Sequence, residues 1–329
     1  MKKMKKFLIG AFAVLTLSIC FVACGGGTDE SSDSISGSVG LQYELSSNGA
    51  YYSVKGIGRC TDTDLVIPST YNNLPVTSIG WHAFLGCSSL TSVVIPDSVT
   101  IIGGSAFYKC SSLTSVEIPD SVTIIGDAAF YNCESLINVA IPNSVTSIGP
   151  EVFYGCNSLT SVEIPDSVTS IGTGAFSECG SLTSVIMPSF AINYIPKNNL
   201  ITVTITSGDI GYQAFWGCSS LTSVEIGDSV TSIGLSAFYK CSSLTSVVIP
   251  DSVTSIGDYA FYYCRSLTSV EIGDSVTSIG DYAFHGCRSL TSITFNGTIE
   301  QWIAIEKGGG WDSEVPATEV VCSDGVVAI

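Results

Sequence analysis

The chain has little charge, and what it has is mostly acidic. Only 12% of its 329 residues are charged, with 12 Lys and Arg against 29 Asp and Glu. Four of the bases, Lys2, Lys3, Lys5 and Lys6, stand in the first six residues; without them 8 basic residues face 29 acidic ones, a net charge of −21. A surface of that sign repels nucleic acid and anionic lipid, so a nucleic-acid partner is excluded. Histidine is scarce as well: His82 and His285 are the two in the chain. One precedes and one follows an Ala-Phe pair, so both are expected in surface slots far apart. No Ser/His/Asp grouping and no zinc spacing can be assembled from them, and nothing in the serines singles out a nucleophile. No enzyme, cofactor or metal centre is expected. No apolar run reaches the roughly 20 residues a membrane-spanning helix needs. The N-terminal run, from Phe7 to Val22, has 16 residues.

That run follows the lysines and precedes small Ala23, which is the layout of an export signal. The segment FVAC followed by GGG resembles a bacterial lipobox. The resemblance implies that Cys24 is acylated, becomes the mature N-terminus and anchors the chain to a membrane, with outer membrane or cell surface as the expected address. Ordinary secretion after cleavage near Ala23 is the alternative. Cys20 is a poorer candidate because bulky Ile19 precedes it. Residues 1–23 are therefore read as a lipoprotein signal peptide. Residues 24–39, rich in Gly, Ser and acids, are read as a flexible tether.

The body is repetitive. Cysteines stand at 87, 110, 133, 156 and 179, and again at 218, 241, 264 and 287, with a step of 23 inside each run. A fixed period in this range marks a solenoid, in which each unit seals the open face of its neighbour. In the unit LTSVEIPDSVTSIGDYAFYYC, Val and Ile two apart point to one side of a strand and their neighbours point outward. Pro-Asp predicts a turn whose Asp accepts from the turn's own amides. VTSI is a second extended piece, and the Gly after it is expected in a conformation closed to other residues. Asp after that Gly suits the N-cap of a short helical turn. Ala-Phe plugs the coil and Cys closes it. Strands about 4.8 Å apart, repeated about ten times, predict an array about 50 Å long.

The ends and one internal stretch depart from the unit. Alternating runs flank Asn48-Gly49 and predict a hairpin; residues 40–75 are read as this N-terminal cap plus an irregular first repeat. The regular array covers 76–298. It is irregular at 180–211, where the Cys179–Cys218 spacing is 39; two shortened coils are expected there. Residues 299–329, with Trp302, Ile303, Ile305 and Trp311, are read as a C-terminal cap.

The unit, with its Ile-Gly and Ala-Phe pairs and closing Cys, resembles the BspA-type leucine-rich repeat over roughly residues 60–298. The resemblance implies a right-handed coil of parallel short strands and short helical turns. It also implies an exported surface protein, in a family whose members include adhesins for host, matrix or other-cell proteins. In leucine-rich repeats the strand surface is usually concave and often holds the ligand, but the family carries no common binding residue to transfer. Two outward rows are candidate binding surfaces. On the strand face, Ser115, Glu117, Ser161, Glu163, Ser223, Glu225, Ser269 and Glu271 line up. After Ala-Phe come Tyr108, Tyr131, Tyr154, Trp216, Tyr239 and Tyr262, of residue types favoured at interfaces. A monotonous surface suits weak contacts multiplied by avidity.

The cysteine row is expected to be a buried thiol ladder, because equivalent side chains in stacked coils are parallel rather than convergent. Cys322 lies outside it and is either unpaired or paired with a cysteine that the sequence does not identify. Asp97, Asp120, Asp166, Asp228, Asp251 and Asp274 share one turn position; turn capping accounts for them more simply than weak calcium binding. The function expected is a surface scaffold that binds proteins. The alternatives are a structural envelope lipoprotein without an outside ligand, and a glycan-binding module using the aromatic row.

Overall fold

The computed structural model describes residues 37–329. The signal segment, Cys24 and most of the tether lie outside the described residues. Ser38 already belongs to the folded body: its amide donates to the Val66 carbonyl at 2.8 Å and its hydroxyl accepts from the Val66 amide at 3.0 Å.

From there the chain winds as a parallel-strand solenoid of about 12 turns. Each turn contributes one main strand, such as Ser92–Val94, Ser115–Glu117 or Ser269–Ile272. Equivalent residues pair across successive turns, Val93 with Val116 and Val270 with Ile293. The 23-residue step thus becomes an exact register. A second, two-residue strand follows the Pro-Asp turn, as at Ile101–Ile102 and Ser255–Ile256, and pairs in the same manner. The turn closes through the Val amide and the Pro carbonyl, Val122 to Pro119 at 2.9 Å. Its Ser hydroxyl donates to the preceding coil, Ser252 Oγ to the Val230 carbonyl at 2.7 Å.

The third side of the coil is not helical. Residues 80–87 and their equivalents form consecutive four-residue turns, closed by bonds such as Ala83 to Gly80 at 3.3 Å and Cys87 to Phe84 at 3.1 Å. The intervening amides point along the array instead, Ser105 to the Asp127 carbonyl at 2.8 Å and Phe107 to Ala129 at 2.7 Å. A helix would consume those amides internally and leave the next coil's carbonyls unpaired, which is why a turn chain replaces the expected helical turn. The geometry requires a left-handed residue twice per coil, supplied by Ser105 (φ 53°) and Lys109 (φ 58°), or Tyr259 (φ 55°) and Tyr263 (φ 57°).

The Ile-Gly glycine, by contrast, is not left-handed. It is there because the preceding coil's backbone passes too close for a Cβ: one built at Gly257 would lie 2.7 Å from Gly234 C and Leu235 N. The expected N-cap role of the following Asp is also replaced. Asp258 Oδ1 accepts from the Asp281 amide of the next coil at 2.8 Å, and Asp281 Oδ1 from the Gly309 amide at 2.6 Å.

Inside the coil, phenylalanines stand in file. Phe84, Phe107, Phe130, Phe153 and Phe176 stack at 5.2–5.5 Å, and Phe215, Phe238, Phe261 and Phe284 at 5.0–5.1 Å; all are at most 1% exposed. The gap between the files is the irregular stretch. There the register runs Ser184 to Thr202 and Thr202 to Ser223, so two shortened coils occur. The first has no Ala-Phe segment and carries the 3-10 helix Ser189–Tyr194 in its place. The Ala214 carbonyl, which elsewhere in the column receives the preceding Phe amide, receives the Lys197 Nζ at 2.7 Å. Burial holds this ammonium below its ordinary pKa.

Both ends of the coil are closed by distinct elements. Gln42–Leu45 and Tyr52–Gly56 form an antiparallel hairpin whose second strand pairs with Leu74–Ile79. At the other end Ile299–Ala304 is a short α-helix with a Thr298/Gln301 capping box, and Glu319–Cys322 turns back onto Gly325–Ala328. Trp302, Ile305 and Trp311 are buried there, whereas Ile303, expected with them, is 67% exposed.

Candidate binding surface

The main strands place Ser115, Glu117, Ser161, Glu163, Ser223, Glu225, Ser269 and Glu271 on the outward side, while the Val between each pair is buried. The register shows what stands beside each carboxylate. Glu117 is next to Val94, Glu163 lies between Ala140 and Ile186, Glu225 is next to Thr204, and Glu271 lies between Val248 and Thr294. No pair in this registry sets Glu against Glu. Neighbouring strands are about 4.8 Å apart, and two like charges at that separation repel by roughly 1 kcal/mol even in water. Skipping a coil brings the separation close to a Debye length, about 8 Å at physiological salt, where screening removes most of the cost. The outcome is a face on which each carboxylate is flanked by uncharged side chains, among them Val94 (49% exposed) and Val248 (46%), with Ile186 and Thr204 standing in succession at the irregular stretch. The sequence already held this arrangement, but it shows only when residues 23 apart are written side by side.

The aromatic row has a different character. Tyr108, Tyr131 and Tyr154 stack at 4.6 and 4.7 Å with rings nearly parallel, and Tyr239 stacks on Tyr262 at 4.9 Å. The rings are half-buried, and their faces are spent on each other, so edges and hydroxyls are what remain. Trp216 begins the second file, tilted against Tyr239 at 5.1 Å and 49% exposed, beside the irregular stretch. His285 continues this file on Tyr262 at 4.9 Å, and its Nδ1 is buried without a hydrogen-bond partner. It is therefore not the open surface residue expected; His82, with φ 58°, is exposed.

The cysteines of the row lie behind these rings. Except for Cys87 and Cys218, which begin the two files, each Sγ donates to a Phe carbonyl of the preceding coil, Cys110 to Phe84 at 3.2 Å and Cys287 to Phe261 at 3.1 Å. Burial pushes the Cys110 and Cys179 thiols up to about 12 and that of Cys218 up to about 11. Cys322 is a buried free thiol in the last hairpin. Two Asp of the turn column reach across coils: Asp166 Oδ1 accepts from the Thr206 and Ser207 hydroxyls at 2.6 Å each, and Asp251 Oδ1 from the Asp274 amide at 3.2 Å, whereas Asp274 Oδ1 accepts from the adjacent Ser275 hydroxyl at 3.3 Å.

Six copies of the BspA type Leucine rich repeat region match the chain, over residues 77–200 and 208–303. The chain belongs to the BspA-type leucine-rich repeat family. The seam between the two matched stretches falls on the strand after the 3-10 helix. Among solved structures, a T. pallidum leucine-rich repeat protein is 29% identical over 69% of this chain and 88% of its own, with a TM-score of 0.45. A Bacteroides ovatus leucine-rich repeat protein is 26% identical, covering 86% and 98%, TM-score 0.39. A leucine-rich cell surface protein of Faecalibacterium prausnitzii is 26% identical, covering 86% and 99%, TM-score 0.33. No curated protein matches.

Proposed function

We propose that the protein is an exported, lipid-anchored scaffold at the cell surface that binds proteins of a host, of the matrix or of other cells through its strand face. The observation that carries this reading is the column running from Val94 to Thr294, where Glu117, Glu163, Glu225 and Glu271 recur in register, each flanked by uncharged side chains that include exposed Val94 and Val248. One such patch is a weak site. A row of them offers one extended partner many simultaneous contacts, and linked weak contacts gain strongly in overall affinity. Apolar contact flanked by charge supplies both burial and orientation. The F. prausnitzii relative, described as a cell surface protein, agrees with the address, and the FVAC segment supplies the anchor through Cys24.

The test uses intact cells that make the full chain. Protease added outside is expected to degrade it, and Cys24→Ala is expected to release it from the membrane fraction. Adherence to immobilised host and matrix proteins is expected to be saturable and to fall at least tenfold when Glu117, Glu163, Glu225 and Glu271 are all changed to Gln. Adherence equal to that of a deletion strain, or undiminished by the four changes, refutes the strand-face reading.

A further inference from the structure

The few bases of the described residues are not evenly spread. On the corner between the turn chain and the main strand, the second file carries Lys240, Arg265 and Arg288 in three successive coils. Residues 216–220, 239–243, 262–266 and 285–289, which build this corner, contain no carboxylate. The equivalent corner of the first file holds Glu134 and Glu178 and one base, Lys109. In a chain this acidic, a cationic strip confined to one corner of one file is a local inversion of the field.

The strip borders an open groove of about 340 Å³ lined by Gly217, Ser219, Lys240, Ser242, Tyr263 and Arg265. Two of its bases are held over rings: the Lys240 Nζ is 5.3 Å from the Tyr239 centroid and the Arg265 guanidinium 5.1 Å from that of Tyr263. Cation–π contact of this kind orients a charge without neutralising it. Arg288, by contrast, is engaged by Glu314 at 2.8 Å and stands outside the groove lining. Lys240 and Arg265 are left with free donors, beside two serine hydroxyls and the edge of a tyrosine.

We propose that this groove binds an acidic glycan, a sugar chain bearing carboxylate or sulphate groups. The bases recur at one-coil steps, so an anionic polymer laid along the array meets them in succession. Charge-assisted bonds from Lys and Arg supply the strength, and Ser219 and Ser242 match sugar hydroxyls. The groove is shallow and open, and its directional contacts come from the Lys240 and Arg265 charges and the Ser219 and Ser242 hydroxyls. It lies on a different side of the coil from the strand-face glutamates, so this site and the proposed protein-binding face stand or fall separately.

The test measures retention of the full-length protein on immobilised heparin, polygalacturonate and neutral dextran in about 0.15 M salt, where long-range attraction is screened. Retention on one or both acidic glycans and none on dextran is expected; the pattern between the two assigns sulphate or carboxylate. Lys240→Gln with Arg265→Gln should weaken binding at least tenfold with an unchanged thermal transition, while Lys109→Gln, in the other file, should leave it unaltered. The four Glu→Gln changes on the strand face should not reduce it. No retention on either acidic glycan, retention unaffected by the double change, or equal retention on polyglutamate or duplex DNA overturns the proposal.

Discussion

The thiol ladder makes the fold sensitive to alkali, and Cys110 gives a way to measure it. Burial, aided by the neighbouring Cys87, raises this thiol from an ordinary 9.0 to about 12. In the unfolded chain it releases its proton near 9; in the folded coil it keeps it. A group whose folded pKa is raised contributes stability that is complete below the unfolded value and is lost as pH climbs toward the folded value. The window is therefore pH 9 to 12. Within it each retained proton costs about 1.4 kcal/mol of stability per pH unit, roughly 4 kcal/mol across the interval. Native stability is commonly only about 5–15 kcal/mol, and Cys179 and Cys218 are raised in the same direction. Urea unfolding at half-unit steps from pH 8 to 11 should show midpoints falling steeply above 9. Cys110→Ala leaves a small cavity and starts out less stable. Because it has no proton to retain, its disadvantage should shrink by about 1.4 kcal/mol per pH unit and then reverse. A gap between the two proteins that stays constant from pH 8 to 11 would refute the buried-thiol argument.

Two further comparisons follow from the packing. Phe130 stacks on rings on both sides and Phe176 on one only, so Phe130→Ala should cost about 3–5 kcal/mol and exceed Phe176→Ala by about one aromatic pair, 0.5–1.5 kcal/mol; equal losses in parallel denaturant melts would count against the file as an energetic unit. Gly257→Ala and Glu151→Gly should act oppositely. The first forces a Cβ onto backbone 2.7 Å away and should destabilise by about 1–3 kcal/mol. The second relieves a left-handed residue with φ 56° and should be neutral or stabilising by up to about 1 kcal/mol, the relief of about 1–2 kcal/mol being offset by glycine's greater unfolded freedom. Differential scanning calorimetry reads both.

The coil itself was legible because a 23-residue period leaves one way to seal each unit, and Val, Ile, Phe and Cys recur at the positions that face inward. The shortened coils were legible from a spacing of 39. The third side was not. Its left-handed positions carry Ser105, Lys109, Ala128 and Tyr259 in some coils and Gly86, Asn132, Gly155, Gly174, Gly217 and Gly286 in others, so the signal is inconsistent from one unit to the next. What selects the conformation is the chance to donate every second amide to the next coil, a tertiary gain invisible in one unit's propensities. The Ile-Gly glycine misled for a related reason: glycine signals either a special φ or a close neighbour, and only the neighbour's position distinguishes them. The aromatic row was found as a row, but stacking turned its faces away from solvent, and that depends on the distance between coils rather than on residue type.

Lys197 shows where such a molecule can change length. Within either file, donors and acceptors of one coil match those of the next, so a whole unit can be gained or lost by the gene and the ends will still mate. At the seam a single lysine replaces the donor of a missing segment, and no copy of the standard unit can be inserted there without displacing it. Reach is therefore an adjustable property of this architecture, while the junction and the two lids are the parts that must be inherited intact.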